Sequence, residues 1–340
     1  MKFDLNMFKS CASGCARIAE DKEGFSFFRF SEAQEKYYEG SGHYIKTFST
    51  AGIRLEFKTD SKNLSMSVNV KPGSSRSFFA FDIFKDGNKL ASLTNIPYEG
   101  ITFKEDGLMP GNTKLPLGHF EEIFEIGEGE KVIKIYFPWS VTPIVRSIEI
   151  DDGASFRSIV PERKMLIFGD SITHGYDAFY PSNSYASILA DELSADARNK
   201  AIGGERFCPG LAKCKDDFDP EIITVAYGTN DWNGLEREIF EEKCEGFFAE
   251  LSKNYPKAKI FAITPIWRRD WEQEKPCGEL QSVREFITGM GNKYPNVVPI
   301  SGEGFVPENS KYFSDFRLHP NDDGFAFYAK ALINEIKKHI

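Results

Sequence analysis

The sequence predicts a mixed α/β protein in which an all-β half precedes a three-layer α/β half built on a parallel sheet. Three observations carry this. Short segments that alternate apolar and polar residues fill the first half, as in half-buried antiparallel strands. Continuous apolar runs separated by helical stretches fill the second, as in strands buried on both faces. The texture changes near Pro161, and 340 residues exceed what one hydrophobic core usually accommodates. Two domains are therefore expected: residues 1–155 as a β-sandwich or jelly roll, and residues 156–340 as the α/β unit.

In the first half, Ile53 to Lys58 and Leu64 to Val70 alternate strictly. Phe78 to Phe84 continues an aromatic pattern, and Asp86-Gly87-Asn88 supplies a tight turn before Leu90 to Leu93. Val132 to Phe137 and Val145 to Ile150 fit further short strands. Many short strands between Gly, Asn and Asp turns point to a sandwich or jelly roll. The 31 Phe against 4 Trp, many of them early in the chain, agree with a β-rich core there.

In the second half, Met165 to Phe168, Ile222 to Ala226, Ile260 to Ile263 and Val297 to Ile300 are the buried strands. Helical periodicity marks Ser184 to Leu193, Phe240 to Leu251 and Gly324 to His339. In the last, Phe325, Tyr328, Ala329, Leu332, Ile333 and Ile336 share one face. Strands alternating with helices imply a parallel sheet.

Composition narrows the function. A net charge of -9, with basic residues scattered among acids, argues against a nucleic-acid partner. No run approaches the ~20 apolar residues of a membrane span, and Met1-Lys2-Phe3-Asp4 does not begin a secretory signal. A cytoplasmic protein without a membrane partner is expected. The cysteines Cys11, Cys15, Cys208, Cys214, Cys244 and Cys277 form no Cys-x-x-Cys pair, so neither metal nor cofactor is expected. No oligomeric state follows from the sequence.

Chemistry concentrates at strand ends. Phe168-Gly169-Asp170-Ser171-Ile172-Thr173-His174-Gly175 follows the first buried strand, which puts Ser171 at the sheet edge where open α/β folds bind ligands. A serine leading into a helix gains partly positive N–H groups around its oxygen, although Ser and Asp there also serve as plain caps. Leu318-His319-Pro320-Asn321-Asp322 precedes the last helix. It offers His319 as the base that a serine nucleophile needs. Tyr227-Gly228-Thr229-Asn230-Asp231 ends another strand, and Asn199-Lys200-Ala201-Ile202-Gly203-Gly204 follows a shorter one. The Asn230 amide and the Gly204 and Ser171 N–H groups could hold the oxyanion of an acyl transfer.

Gly169-Asp170-Ser171-Ile172, Gly204, Gly228-Thr229-Asn230-Asp231 and His319-Pro320 resemble the four ordered blocks of SGNH (GDSL-type) hydrolases. The resemblance covers roughly the second half. It implies Ser171 as nucleophile, His319 as base, Ser171, Gly204 and Asn230 as oxyanion hole, and a flavodoxin-like sheet. One position departs: the family places an aspartate three residues before the histidine, and here that residue is Phe316. Asp315 stands one residue further back. A bulge could let Asp315 orient His319, a backbone carbonyl could do so in a dyad, or the site could be degenerate. The two-part layout resembles carbohydrate esterase family 2, whose members deacetylate plant polysaccharides.

The reading that results is a serine esterase acting on small O-acyl groups, acetyl above all, of a small-molecule or oligosaccharide ester. Asp170, Trp232 and Trp267 are expected to line the cleft, with Trp139 a further candidate and ordinary packing the alternative for each Trp. His174 is read as helix-surface or cleft-lining. The rival functions are a lipase or thioesterase-like hydrolase of longer acyl esters and a non-catalytic carbohydrate-binding protein.

Overall fold

The computed structural model of the chain describes residues 1–98, 100–101 and 115–340. Two antiparallel sheets occupy the first half. One has the spatial order Ala12–Ser13, Arg54–Thr59, Lys131–Tyr136, Ala80–Lys85, Asn88–Thr94, and Arg157–Ser158 also pairs with Arg54–Thr59. The other runs Arg17–Asp21, Gly24–Phe28, Val141–Ile150, Asn63–Pro72, Gly118–Glu125. Period-2 patterning decides which side chains meet between them. Leu55, Phe57, Phe81 and Ile135 of the first sheet share one core with Phe27, Leu64, Met66 and Val68 of the second. The alternate residues Glu56, Lys58, Ser65 and Ser67 stay partly exposed. Phe rings pack edge-on inside this core, as Phe81 and Phe137 do at 5.0 Å.

Two short helices stand beside these strands, unannounced by the alternation. Leu5–Cys11 is capped by Asp4, whose carboxylate accepts from the Met7 N–H. Glu32–Tyr38 begins with a reciprocal capping box between Ser31 and Gln34.

The second half holds a parallel sheet in the order Ala195–Asn199, Arg163–Gly169, Ile222–Ala226, Lys259–Ile263, Val297–Ile300. Its apolar runs are continuous because successive residues feed opposite faces. Leu166, Phe168, Ile223 and Val225 pack under helices Arg237–Asn254 and Leu280–Lys293, through Phe247, Leu251 and Ile287. Met165, Ile167, Phe261 and Ile263 pack under Tyr185–Glu192 and Asp322–Ile336, through Leu189, Phe325 and Leu332. The first connection leads from Arg163–Gly169 to its neighbour Ala195–Asn199, and the second crosses from there to Ile222–Ala226 on the other side. A switch point therefore opens at the carboxyl end of Arg163–Gly169, directly before Ser171.

The halves are joined by directional bonds. The fully buried Arg29 guanidinium donates to the carbonyls of Lys46 and Ser49 in its own half, and to those of Asn199 (2.6 Å) and Ala201 (3.0 Å) in the other. The Trp139 indole N–H reaches the Ala178 carbonyl at 3.0 Å, and the Ser182 hydroxyl reaches Asp82 at 2.7 Å. Among the described residues, no helix is long and apolar enough to cross a membrane.

Candidate active site

Ser171 opens a one-turn helix, Ser171–His174, which Asp170 caps by accepting from the Ile172 N–H at 3.0 Å. Gly175, at φ 101°, ends the turn in the left-handed region that glycine enters without strain. The Ser171 Oγ lies 2.8 Å from His319 Nε2, and His319 Nδ1 lies 2.8 Å from an Asp315 oxygen. With Nδ1 donating to a carboxylate, Nε2 carries the lone pair that accepts the serine proton.

Asp315 reaches His319 despite its displaced position because Phe316 adopts φ 57°. That left-handed residue folds the extra position out of the way. The second Asp315 oxygen accepts three backbone N–H groups, from Arg317 (3.0 Å), Leu318 (2.7 Å) and His319 (3.0 Å). Burial raises Asp315, but the His319 bond and charge and these donors more than reverse that and hold it below the usual carboxylate range. Burial likewise pushes His319 down, and the bond and charge of Asp315, with the charge of Asp177, leave it above its ordinary value.

Three candidate N–H donors lie on the segments that follow neighbouring strands. The Ser171 and Gly204 amides meet no acceptor among the described residues. Gly204 is exposed at φ 86°. The Asn230 amide gives one N–H to the Glu205 carbonyl at 2.9 Å and keeps the other. The Phe207 N–H on Asp231 (3.1 Å) ties the Gly204 and Asn230 segments together. Burial raises Asp231 to about 7.

Other residues complete the surroundings without any signal in the sequence. Asp177 is fully buried 3.6 Å from His319 Nδ1, and it takes both arms of Arg76 from the first half at 2.8 and 3.1 Å. Tyr176 stacks on the His319 ring at 5.9 Å. Asp177, Asp315 and His319 set ligand atoms within 4.8 Å of one another, a spacing a metal ion could use. These atoms are already engaged, Asp315 with His319 and Asp177 with Arg76.

Several cleft expectations need correction. Trp232 is fully buried, with its indole N–H on the Gly278 carbonyl (2.8 Å) and Arg268 over its ring, so it faces the core. Trp139 is buried too and packs against Tyr176 at 4.8 Å. Asp170 is buried beneath the serine, where it caps the turn and burial raises it to about 6. Trp267 is half-buried against Phe313 at 5.2 Å. His174 is neither surface nor cleft: its Nδ1 accepts from the Gly203 N–H (3.2 Å), and its Nε2 meets the Trp139 carbonyl (2.9 Å) and the Ser49 hydroxyl (2.8 Å). Burial holds its pKa well below the usual value, so it stays neutral.

The GDSL-like Lipase/Acylhydrolase family matches residues 167–327. No curated protein matches the chain in sequence. Solved structures match it over almost its whole length. One is the salicylyl-acyltransferase SsfX3 from a tetracycline biosynthetic pathway, with TM-score 0.76, 18% identity, and 96% of this chain and 94% of that one covered. A protein of Bacteroides ovatus described as a GDSL-like lipase gives 0.75 and 18%, covering 98% and 96%. A family two carbohydrate esterase of Clostridium thermocellum, solved with cellohexaose, gives 0.63 and 17%, covering 96% and 98%.

Proposed function

For a chain whose residues 167–327 match the GDSL-like lipase/acylhydrolase family, we propose a serine esterase that removes small acyl groups, acetyl foremost, from hydroxylated substrates such as oligosaccharides. The match of residues 167–327 to a lipase/acylhydrolase family supports a carboxylic ester hydrolase. The observation that carries the specific reading is the unbroken chain of hydrogen bonds from Asp315 through His319 to Ser171.

In this mechanism His319 Nε2 takes the Ser171 proton as Oγ attacks the ester carbonyl. The oxyanion that forms accepts from the Ser171 and Gly204 N–H groups and the free Asn230 N–H. His319, now charged and held by Asp315, returns the proton to the leaving alkoxide. Water then attacks the acyl-enzyme with His319 again as base. Asp315 stays ionised throughout and stabilises the imidazolium, in keeping with its depressed pKa.

The small acyl group is inferred from the rim. His43 approaches Gly204, and Arg206 donates to the Asn230 carbonyl at 3.3 Å. A long alkyl chain laid there would strip water from these polar groups, whereas a short acyl on a hydroxylated substrate would not. The match over both halves to a carbohydrate esterase favours a sugar as the alcohol part.

The test is hydrolysis of p-nitrophenyl acetate, butyrate and octanoate by wild type and Ser171→Ala. Acetate should be preferred, and the variant should lose more than about 10³-fold in kcat. Octanoate preference would favour the lipase reading. Turnover that survives in Ser171→Ala would overturn the mechanism.

A further inference from the structure

The peptide unit joining Gly203 to Gly204 is held from behind by the first half of the chain. Its carbonyl oxygen accepts from the Lys46 ammonium at 2.5 Å. Its N–H is the Gly204 donor, which meets no acceptor among the described residues. The peptide is trans, so carbonyl and N–H point in opposite directions and Lys46 lies on the side away from the donor's target.

The surrounding bonds tighten this grip. The Gly203 N–H donates to His174 Nδ1, which fixes the preceding peptide. Lys46 sits in the short 3₁₀ turn Tyr44–Phe48, and its own carbonyl accepts from Arg29 at 3.0 Å. The same guanidinium holds the Asn199 and Ala201 carbonyls, just upstream of Gly203. Lys46 and Gly203 are 157 residues apart in sequence, so only docking of the two halves brings them together.

We propose that Lys46 is a positioning residue for the oxyanion hole, orienting and polarising the peptide whose Gly204 N–H receives the developing charge. This rests on the esterase reading above. A cation on a peptide oxygen draws electron density from the peptide nitrogen, so the N–H at the other end becomes a stronger donor. The charge-assisted bond also fixes the peptide plane before substrate arrives. Both effects act where charge appears only in the transition state, so they belong to kcat and not to substrate binding. The first half thereby contributes to catalysis through the second half's backbone, without touching the substrate.

The experiment is steady-state hydrolysis of p-nitrophenyl acetate by wild type, Lys46→Arg, Lys46→Gln and Lys46→Met, each checked for native circular dichroism. Lys46→Met should lose kcat on the order of tenfold, less than the roughly 10²–10³ that removing a direct donor costs. Its KM should stay within about twofold of wild type. Lys46→Gln should fall between, and Lys46→Arg should recover most of the rate. Should Lys46→Met not fold, the Arg and Gln variants carry the same comparison. Wild-type kcat in Lys46→Met and Lys46→Gln, a loss confined to KM, or no recovery in Lys46→Arg would overturn the proposal while leaving the esterase reading standing. Wild type without Ser171-dependent hydrolysis would overturn both.

Discussion

At His319, Nδ1 faces Asp315 at 2.8 Å and Asp177 at 3.6 Å, and Arg76 neutralises the second of these. A general base must be neutral, so kcat/KM should rise with pH through an apparent pKa above the ordinary imidazole value of about 6.5. Asp315→Asn removes the largest influence raising His319. The acid limb should therefore move to lower pH while kcat falls by up to roughly 10⁴-fold. A pH–rate profile of the variant checks both signs, and a limb that stays in place would make Asp177 the governing charge. Ser171 and His319, 2.8 Å apart, were legible as neighbours because one sits at a strand end and the other before a helix, where residue spacing reports position. Lys46, Arg76 and Asp177 were not. A lone charged residue in a loop carries no pattern, and its partners here are a backbone carbonyl or a residue about a hundred positions away.

The turn before His319 shows what spacing alone hides. Counting residues places Phe316 where an acid is expected, yet Phe316 at φ 57° closes the gap for Asp315. Glycine and, less strongly, asparagine and aspartate announce that conformation, and phenylalanine conceals it. Phe316→Gly should keep the turn and the activity, with stability within about 1 kcal/mol, because relief of the left-handed strain and glycine's extra unfolded freedom offset each other. Phe316→Pro locks φ near −65° and deletes the N–H bond to the Phe313 carbonyl. It should cost about 3 kcal/mol in urea unfolding and reduce kcat/KM as far as Asp315→Asn does. Among the elements, the parallel strands were legible because burial on both faces leaves a continuous apolar run. The helix Glu32–Tyr38 is harder to see among segments of strand-like alternation, and its Ser31–Gln34 capping box is its only signal in the sequence.

Across the whole molecule, the mixed α/β class with a parallel sheet was legible from texture, and the way the halves dock was not. Docking relies on carbonyl acceptors, which every residue owns, and on Arg29, one of many basic residues. Arg29→Met would strand the Ser49, Asn199 and Ala201 carbonyls in a dry interior. The loss should be at least about 3 kcal/mol in urea unfolding, and a loss within the error of the measurement would mean that water replaces the guanidinium. The same contacts impose a schedule on the nascent chain. Arg29 is translated 170 residues before Asn199, its first partner in the other half. At about 5–20 residues per second that interval is roughly 10–35 s. For that time the surface that will seat the second half stands open to solvent, its guanidinium hydrated and its apolar neighbours uncovered. The chain is then most exposed to premature association, for most of that interval before Ser171 has been synthesised.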